Sequence, residues 1–263
     1  MTSISSMSST SPVLSAVMIA KDAEATIESS LRSLQFCDEI IVVVDSASTD
    51  QTESIARQLA TRVETREWQG YGRTKQAAVD LARGTWVLSI DADETVTEEL
   101  AQAIRSAVRR NDPAYNAYQL RRRTRYLGRW IRHGDWGRDR VLRLFRRGQG
   151  RFTDAPVHES VQAPGPKPVL PGWLMHEGDQ TISSYLIRLD RYTTLAAESL
   201  HASGRTASIL SLIVRPLFKF IQAYILRAGF LDAYQGLVLA WYSAVYVFTK
   251  YAKLRTLNRQ ASD

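Results

Sequence analysis

"TWVLSIDADE", residues 85–94, is an apolar run that breaks off into three carboxylates. Val87, Leu88 and Ile90 read as a buried strand, and Asp91, Asp93 and Glu94 stand at its carboxyl tip. Like charges crowded at the end of a core strand raise one another's pKa unless something cationic sits among them. Two chemistries use such a tip: an oxygen-coordinated divalent metal, or a nucleophilic aspartate.

Working outward, the same grammar recurs. "EIIVVVD", residues 39–45, is a second buried strand ending in a carboxylate, Asp45; Val13–Ala20 reads as another strand and Arg62–Arg66 as a shorter one. Between them lie amphipathic segments. Glu24–Leu34 puts Ile27, Leu31 and Leu34 on one helical face, and "SASTDQTESIARQLA" makes a turn and a helix capped by Thr49 or Asp50. A helix from about Tyr71 to Arg83 is expected to close at Gly84, and Thr95 with Glu98 matches a capping box opening the next one. Alternating strands and helices predict a mostly parallel, Rossmann-like doubly wound sheet. Ligands of such sheets bind outside the carboxyl ends of the strands, where Asp45 and Asp91 both fall.

Beyond Pro113 the rhythm changes. "AYNAYQLRRRTRY" and "DRVLRLFRR" read as strands, "APGPKPVLPG" as a proline-rich surface loop, and everything from Thr181 onward as helix. The expected division is a Ser/Thr-rich tail over 1–12, disordered rather than a signal peptide, then a catalytic domain over 13–180 and a helical region over 181–263. A single cysteine, Cys37, excludes an intramolecular disulfide and a Cys-based zinc site.

The net charge of +7 is concentrated. Residues 121–151 hold twelve arginines against Asp135 and Asp139, which leaves the remainder slightly acidic. Such a field attracts anionic partners: nucleic acid, a phosphorylated glycolipid or a membrane surface. Interleaved Tyr126, Trp130, Trp136 and Phe145 would suit stacking on bases, yet they suit the other two partners equally. Near the C-terminus, residues 233–249 are uncharged, which is at the bottom of the length range for a spanning helix. The segment before them mixes aromatic and aliphatic residues with Arg215, Lys219 and Arg227. That composition favours helices lying in a membrane interface over a true span.

Three readings of the carboxylate tip compete. Asp91 and Asp93, at i and i+2 on a turn, can hold Mg²⁺ or Mn²⁺ together with a diphosphate. "DADETV" also fits the D-x-D-x-T/V pattern of haloacid dehalogenase-type phosphatases, with "GDWGRD", residues 134–139, as its later metal motif. Against this, several βα units precede the motif and no lysine lies between Asp91 and Asp135. The third reading, that the aspartates merely cap a helix, leaves Asp45 unexplained.

With these residues assembled, the chain resembles glycosyltransferase family 2, and within it the lipopolysaccharide core β-1,4-glucosyltransferases. The likeness rests on "DEIIVVVDSASTD", "EWQGYGRTKQAAVDLARGTWVLSIDADE", "YLGRWIRHGDW", "LRLFRRGQGRF", "APVHES", "RYTTLAAESL" and "YAKL", in that order from about Val13 to Leu254. Ala47 stands where the family usually has Gly, and Gln76 where Asn is common.

The resemblance implies a GT-A fold and inverting transfer of a sugar, glucose from UDP-glucose, onto the inner-core heptose of lipopolysaccharide. It implies that Asp45, Arg73, Lys75 and Asp91 bind the nucleotide-sugar, that Asp93 and His176 hold the metal, and that Glu159, with Asp154 second, is the base. Arg121, Arg122, Arg123 and His158 would meet the phosphorylated acceptor. With the interfacial helices this points to the cytoplasmic face of the inner membrane and to no nucleic acid. The rival acceptor is a polyprenyl-phosphate or capsule glycan.

Overall fold

The computed structural model describes residues 13–153, 160–177 and 181–260. The chain forms two compact units: one from residues up to Arg121 with Arg140–Leu174, the other from Arg122–Asp139 with the chain from Met175 onward.

The first unit is built on parallel strands β1 (Leu14–Ala20), β2 (Glu39–Asp45), β3 (Arg62–Arg66) and β4 (Trp86–Asp91). β2 and β4 flank β1, and β3 lies outside β2. Antiparallel β8 (Arg140–Arg146) follows β4, and β6 (Ala117–Tyr126), as far as Arg121, follows β8. Every residue of β1 and β2 is buried, as strands covered on both faces require. Alternate residues divide the core. Ala16, Met18, Val42, Val44, Leu88 and Ile90 face α1 (Ile27–Ser33), α2 (Thr52–Leu59) and α4 (Glu98–Arg110). Val17, Ile19, Ile41, Val43 and Val87 pack with Ala78 and Val79 of α3 (Tyr71–Asp80).

Several boundaries differ from the sequence expectation. Thr97, not Thr95, caps α4, accepting the Leu100 N–H at 3.4 Å, because Glu94–Val96 are taken up as a short strand, β5. α1 starts at Ile27 instead of Glu24, after a turn in which the Thr26 and Ile27 N–H groups both donate to the Ala23 carbonyl, at 3.0 and 2.9 Å. α3 stops at Asp80. Gly84 is then no helix cap but a close-packing site, where an added Cβ would lie 2.6 Å from Ser15 Oγ. Its N–H donates to that hydroxyl at 2.8 Å.

The second unit joins β7 (Arg129–Trp130) to helices α5 (Ile182–Ala202), α6 (Ile209–Ile221) and α7 (Ala233–Gln260). Two buried or half-buried carboxylates fasten its parts. Asp232 accepts the Arg132 and His133 N–H groups at 3.0 and 2.7 Å, and its other oxygen lies 3.2 Å from His133 Nδ1. Asp135 is held by Arg227, by Lys219 at 3.0 Å and by the Ser243 hydroxyl at 3.0 Å. The start of α7 needs glycine: a Cβ on Gly236 would sit 1.8 Å from the Gly229 carbonyl oxygen. α7 turns Leu239, Ala240, Ala244 and Leu254 inward, so the uncharged run of the sequence belongs in part to packing. α6 instead buries none of its residues.

Candidate active site

The register of the parallel strands sets the site. Ile19 of β1 lies opposite Asp91, and Ala20 opposite Val44, so the carboxylates ending β2 and β4 flank the end of β1.

Asp45 is buried, with its Oδ1 accepting the Ala47 N–H at 3.0 Å. Its Oδ2, buried like the rest of the side chain, lies 3.2 Å from Lys21 Nζ. The Ala47 N–H holds the Asp45 pKa below the ordinary range, burial works against this, and Lys21 reinforces it. Ala47 is absent from the positive-φ residues, so its position makes no demand for the family's glycine. Asp50 does the binding work in this loop. It accepts N–H groups from Glu24 and Thr52 at 2.9 and 3.0 Å and the Ser48 hydroxyl at 3.2 Å, tying the loop after β2 to the segment before α1.

At the tip of β4 the expected cations are present, and they are two. Lys75, reaching from α3, places Nζ 2.8 Å from Asp91 Oδ1. Arg143 of β8 grips Asp91 Oδ2 and lies 3.0 Å from Glu94 Oε1. Lys75, Glu94 and Arg143 are all buried, Glu94 completely. Glu94 also accepts the Asp91 N–H at 3.1 Å, closing the turn around the aspartate. Burial opposes ionisation of Asp91, but the Arg143 and Lys75 charges override it and hold its pKa far below the carboxylate range. Burial likewise opposes the Arg143 charge, and Asp91 and Glu94 raise its pKa in return. Two carboxylates and two cations thus close on each other, which answers how a core strand ends in acid.

Sequence reasoning named Asp45, Lys75 and Asp91 in this group but missed Arg143, and saw Glu94 only as a third carboxylate. Arg73 is exposed on α3. Asp93 is partly exposed on the turn between β4 and β5. Among the described residues no group of three His, Cys, Asp or Glu side chains is placed to hold a metal by itself. Mg²⁺ and Mn²⁺ do not need one: they bind through one or two carboxylates plus substrate phosphates and water. Asp93, on the turn beside Asp91, could contribute a carboxylate to such an ion together with a diphosphate.

The other expected residues divide. Asp154, His158 and Glu159 lie outside the described residues. His176 stands in the second unit, its Nδ1 3.2 Å from Thr124 Oγ1. The three arginines do not form one surface, because successive residues of a strand point to opposite sides. Arg121 is exposed, over the Trp173 ring at 5.9 Å, and Arg122 pairs with Asp139 at 2.7 Å. Arg123 is partly buried, and burial followed by the Arg132 charge depresses its pKa.

The family model for glycosyl transferase family 2 matches residues 15–163, which takes in the whole carboxylate cluster. The chain belongs to glycosyl transferase family 2. The resemblance drawn from the motifs therefore holds, as does the mixed α/β fold with its C-terminal helical region, and the phosphatase reading falls. Among curated relatives, a lipopolysaccharide core biosynthesis glycosyltransferase, LpsC of Rhizobium meliloti, is 28% identical over 91% of this chain and 93% of that protein. An uncharacterized glycosyltransferase of Rickettsia typhi is also 28% identical, over 95% and 89%. Among solved structures, S. aureus TarS 1–349 in complex with UDP covers 95% of this chain and 92% of that one at 16% identity and a TM-score of 0.44. Glucosyl-3-phosphoglycerate synthase from Mycobacterium tuberculosis, in complex with Mn²⁺, UDP and phosphoglyceric acid, covers 43% and 44% at 27% identity and a TM-score of 0.34.

Proposed function

We propose that this family 2 transferase moves a sugar, glucose from UDP-glucose, onto the inner-core heptose of lipopolysaccharide with inversion. The observation that carries the donor half is the Asp45–Lys75–Asp91–Arg143 constellation at the strand ends, with Asp93 beside it. Asp45, a carboxylate at the end of β2, would accept a uracil N–H. Arg73 and Lys75 face the nucleotide from α3. Asp91, held ionised by its two cations, orients the turn and the ribose side of the donor.

A divalent ion bound by Asp93 would offset charge on the departing diphosphate. Glu159 is the proposed base, with Asp154 as second candidate. It takes the proton of the acceptor hydroxyl as that oxygen bonds to the anomeric carbon, and the bond to phosphate breaks with its electron pair leaving on UDP. The acceptor half rests on the LpsC likeness and on the arginine-rich segment. Arg121, Arg123 and His158 would engage phosphates of the acceptor, for which guanidinium forks are suited, whereas Arg122 is held by Asp139. The site of work is the cytoplasmic face of the inner membrane, reached through the exposed apolar side of α6.

The test is a donor and acceptor screen, with transfer to heptose-terminated core oligosaccharide and donor hydrolysis measured side by side. Arg121→Gln/Arg123→Gln should lower transfer at least about tenfold, with hydrolysis nearly unchanged and the loss steepest at low salt. Equal loss of both activities contradicts the acceptor role. Transfer to a polyprenyl-phosphate alone would select the rival acceptor.

A further inference from the structure

The C-terminal helices carry a charge pattern that sugar transfer does not use. Between residues 199 and 260 the single acid is Asp232, buried and saturated within its own unit, whereas eight lysines and arginines occur there. Two of these cations meet over one ring. Arg215 donates to the Tyr251 hydroxyl at 2.8 Å with its guanidinium 4.7 Å from the ring centroid, and Lys250 Nζ lies 5.2 Å from the same ring and 5.4 Å from that of Tyr246. Among the described residues neither cation pairs with a carboxylate, while nearby Lys219 is spent on Asp135 at 3.0 Å.

Arg215, Lys219 and Lys250 line a groove of about 410 Å³ between α6 and α7, walled by Val214, Phe218 and Val247. Burial, and then the charges of Arg215 and Lys219, push the Lys250 ammonium pKa down. The groove opens beside an apolar strip. Ile209, Ile213, Leu217 and Ile225 recur at helical spacing and are each more than half exposed. Ile209–Leu226 is long and apolar enough to cross a membrane, with 6% of it buried. Two cations within it, Arg215 and Lys219, and the following Arg227 favour lying in the interface instead.

We infer that the α6–α7 groove binds the phosphate of an anionic glycerophospholipid, whose acyl chains continue along the exposed side of α6. The inference rests on the membrane-surface reading above. A phosphate diester supplies the negative charge that the Arg215 fork and the Lys250 ammonium lack, in a place where the same face of a second copy would bring more positive charge.

The experiment is flotation of the full chain with vesicles of phosphatidylcholine alone or mixed with phosphatidylglycerol. The variants are Arg215→Gln/Lys250→Gln, which touches the groove, and Ile213→Glu/Leu217→Glu, which touches the strip. Wild type should prefer the phosphatidylglycerol vesicles. The groove variant should lose about fivefold in that preference per cation removed while keeping its weak binding to phosphatidylcholine. The strip variant should lose binding to both, with circular dichroism unchanged. Equal binding of wild type and groove variant to both vesicles would overturn the headgroup site and leave the membrane reading standing. No binding to either vesicle would overturn both, as would a lipid-free dimer dissolved by the strip variant. If free glycerol phosphate abolished the preference at millimolar concentration, the groove would serve a soluble anion and the lipid assignment would fail.

Discussion

Asp91 shows how the chain makes a buried charge tolerable. Its carboxylate meets Lys75 on one oxygen and Arg143 on the other, and Arg143 shares itself with fully buried Glu94. Breaking such a group by removing one partner is costly because the survivors keep their desolvation and lose their compensation. Arg143→Met should therefore destabilise the protein by about 3 kcal/mol, and adding Glu94→Gln should recover part of that. Urea unfolding of the two singles and the double measures it, and additivity within about 0.5 kcal/mol would refute the coupling. Asp50 gives a pH prediction. Burial opposes its ionisation, but hydrogen bonds from Thr52, Glu24 and Ser48 outweigh it and lower the pKa from 3.8 to about 2. The folded state binds the proton less readily than the unfolded one, so the stabilisation is complete above the unfolded value and is lost as pH falls through about 2. In Asp50→Asn the slope of stability against pH should flatten across that window, and an unchanged slope would contradict the assignment. The carboxylates of this site were legible because an apolar run that ends in acid is visible in one line of text. Arg143 was not legible. The antiparallel register that sets Leu88 opposite Leu144 brings it to Asp91 from 52 residues away, and in the sequence it is one arginine among twelve.

At the scale of elements, strands were easier to read than helix ends. β2 occupies the residues expected from its apolar run, because burial on both faces leaves a continuous signal, and the short β3 falls on the expected Arg62–Arg66 although none of its residues is buried. The capping of α4 was misplaced by two residues, since "TVTEE" offers two threonines and the β5 pairing that removes the first depends on the fold. Thr97 does more than cap: its hydroxyl donates to the Trp173 carbonyl at 3.0 Å and accepts the Trp173 N–H at 3.1 Å. Thr97→Ala should cost about 1 kcal/mol or somewhat more, and Thr95→Ala much less, in thermal or urea unfolding. The reverse order would restore the original capping box. Gln76, one methylene longer than the family's Asn, uses its carbonyl to accept the Phe152 N–H at 3.0 Å while its amide reaches Asp80 at 2.7 Å. The departure is thus put to use in holding β9 (Arg151–Phe152) to α3.

At the scale of the molecule, charge is partitioned by use. Several of the twelve arginines serve structure: Arg143 in the ion cluster, Arg122 on Asp139, and Arg146 on the carbonyls of Asn111, Asp112 and Tyr115 at the end of α4. A count of basic residues therefore overstated the field left for a partner. The exposed apolar residues of α6, in contrast, fall in the segment that the mix of aromatic, aliphatic and basic residues singled out, whereas the longer uncharged run lies in α7 and is partly consumed by packing. The account stands on a nucleotide-diphosphate site at the ends of β2 and β4, and calorimetric titration of UDP tests that most directly. Wild type should bind UDP with Mn²⁺ present, lose at least about tenfold in affinity with chelator, and lose a similar factor in Asp93→Ala without any change in unfolding midpoint. Failure of the folded wild type to bind UDP, or binding indifferent to both Mn²⁺ and Asp93, would contradict it.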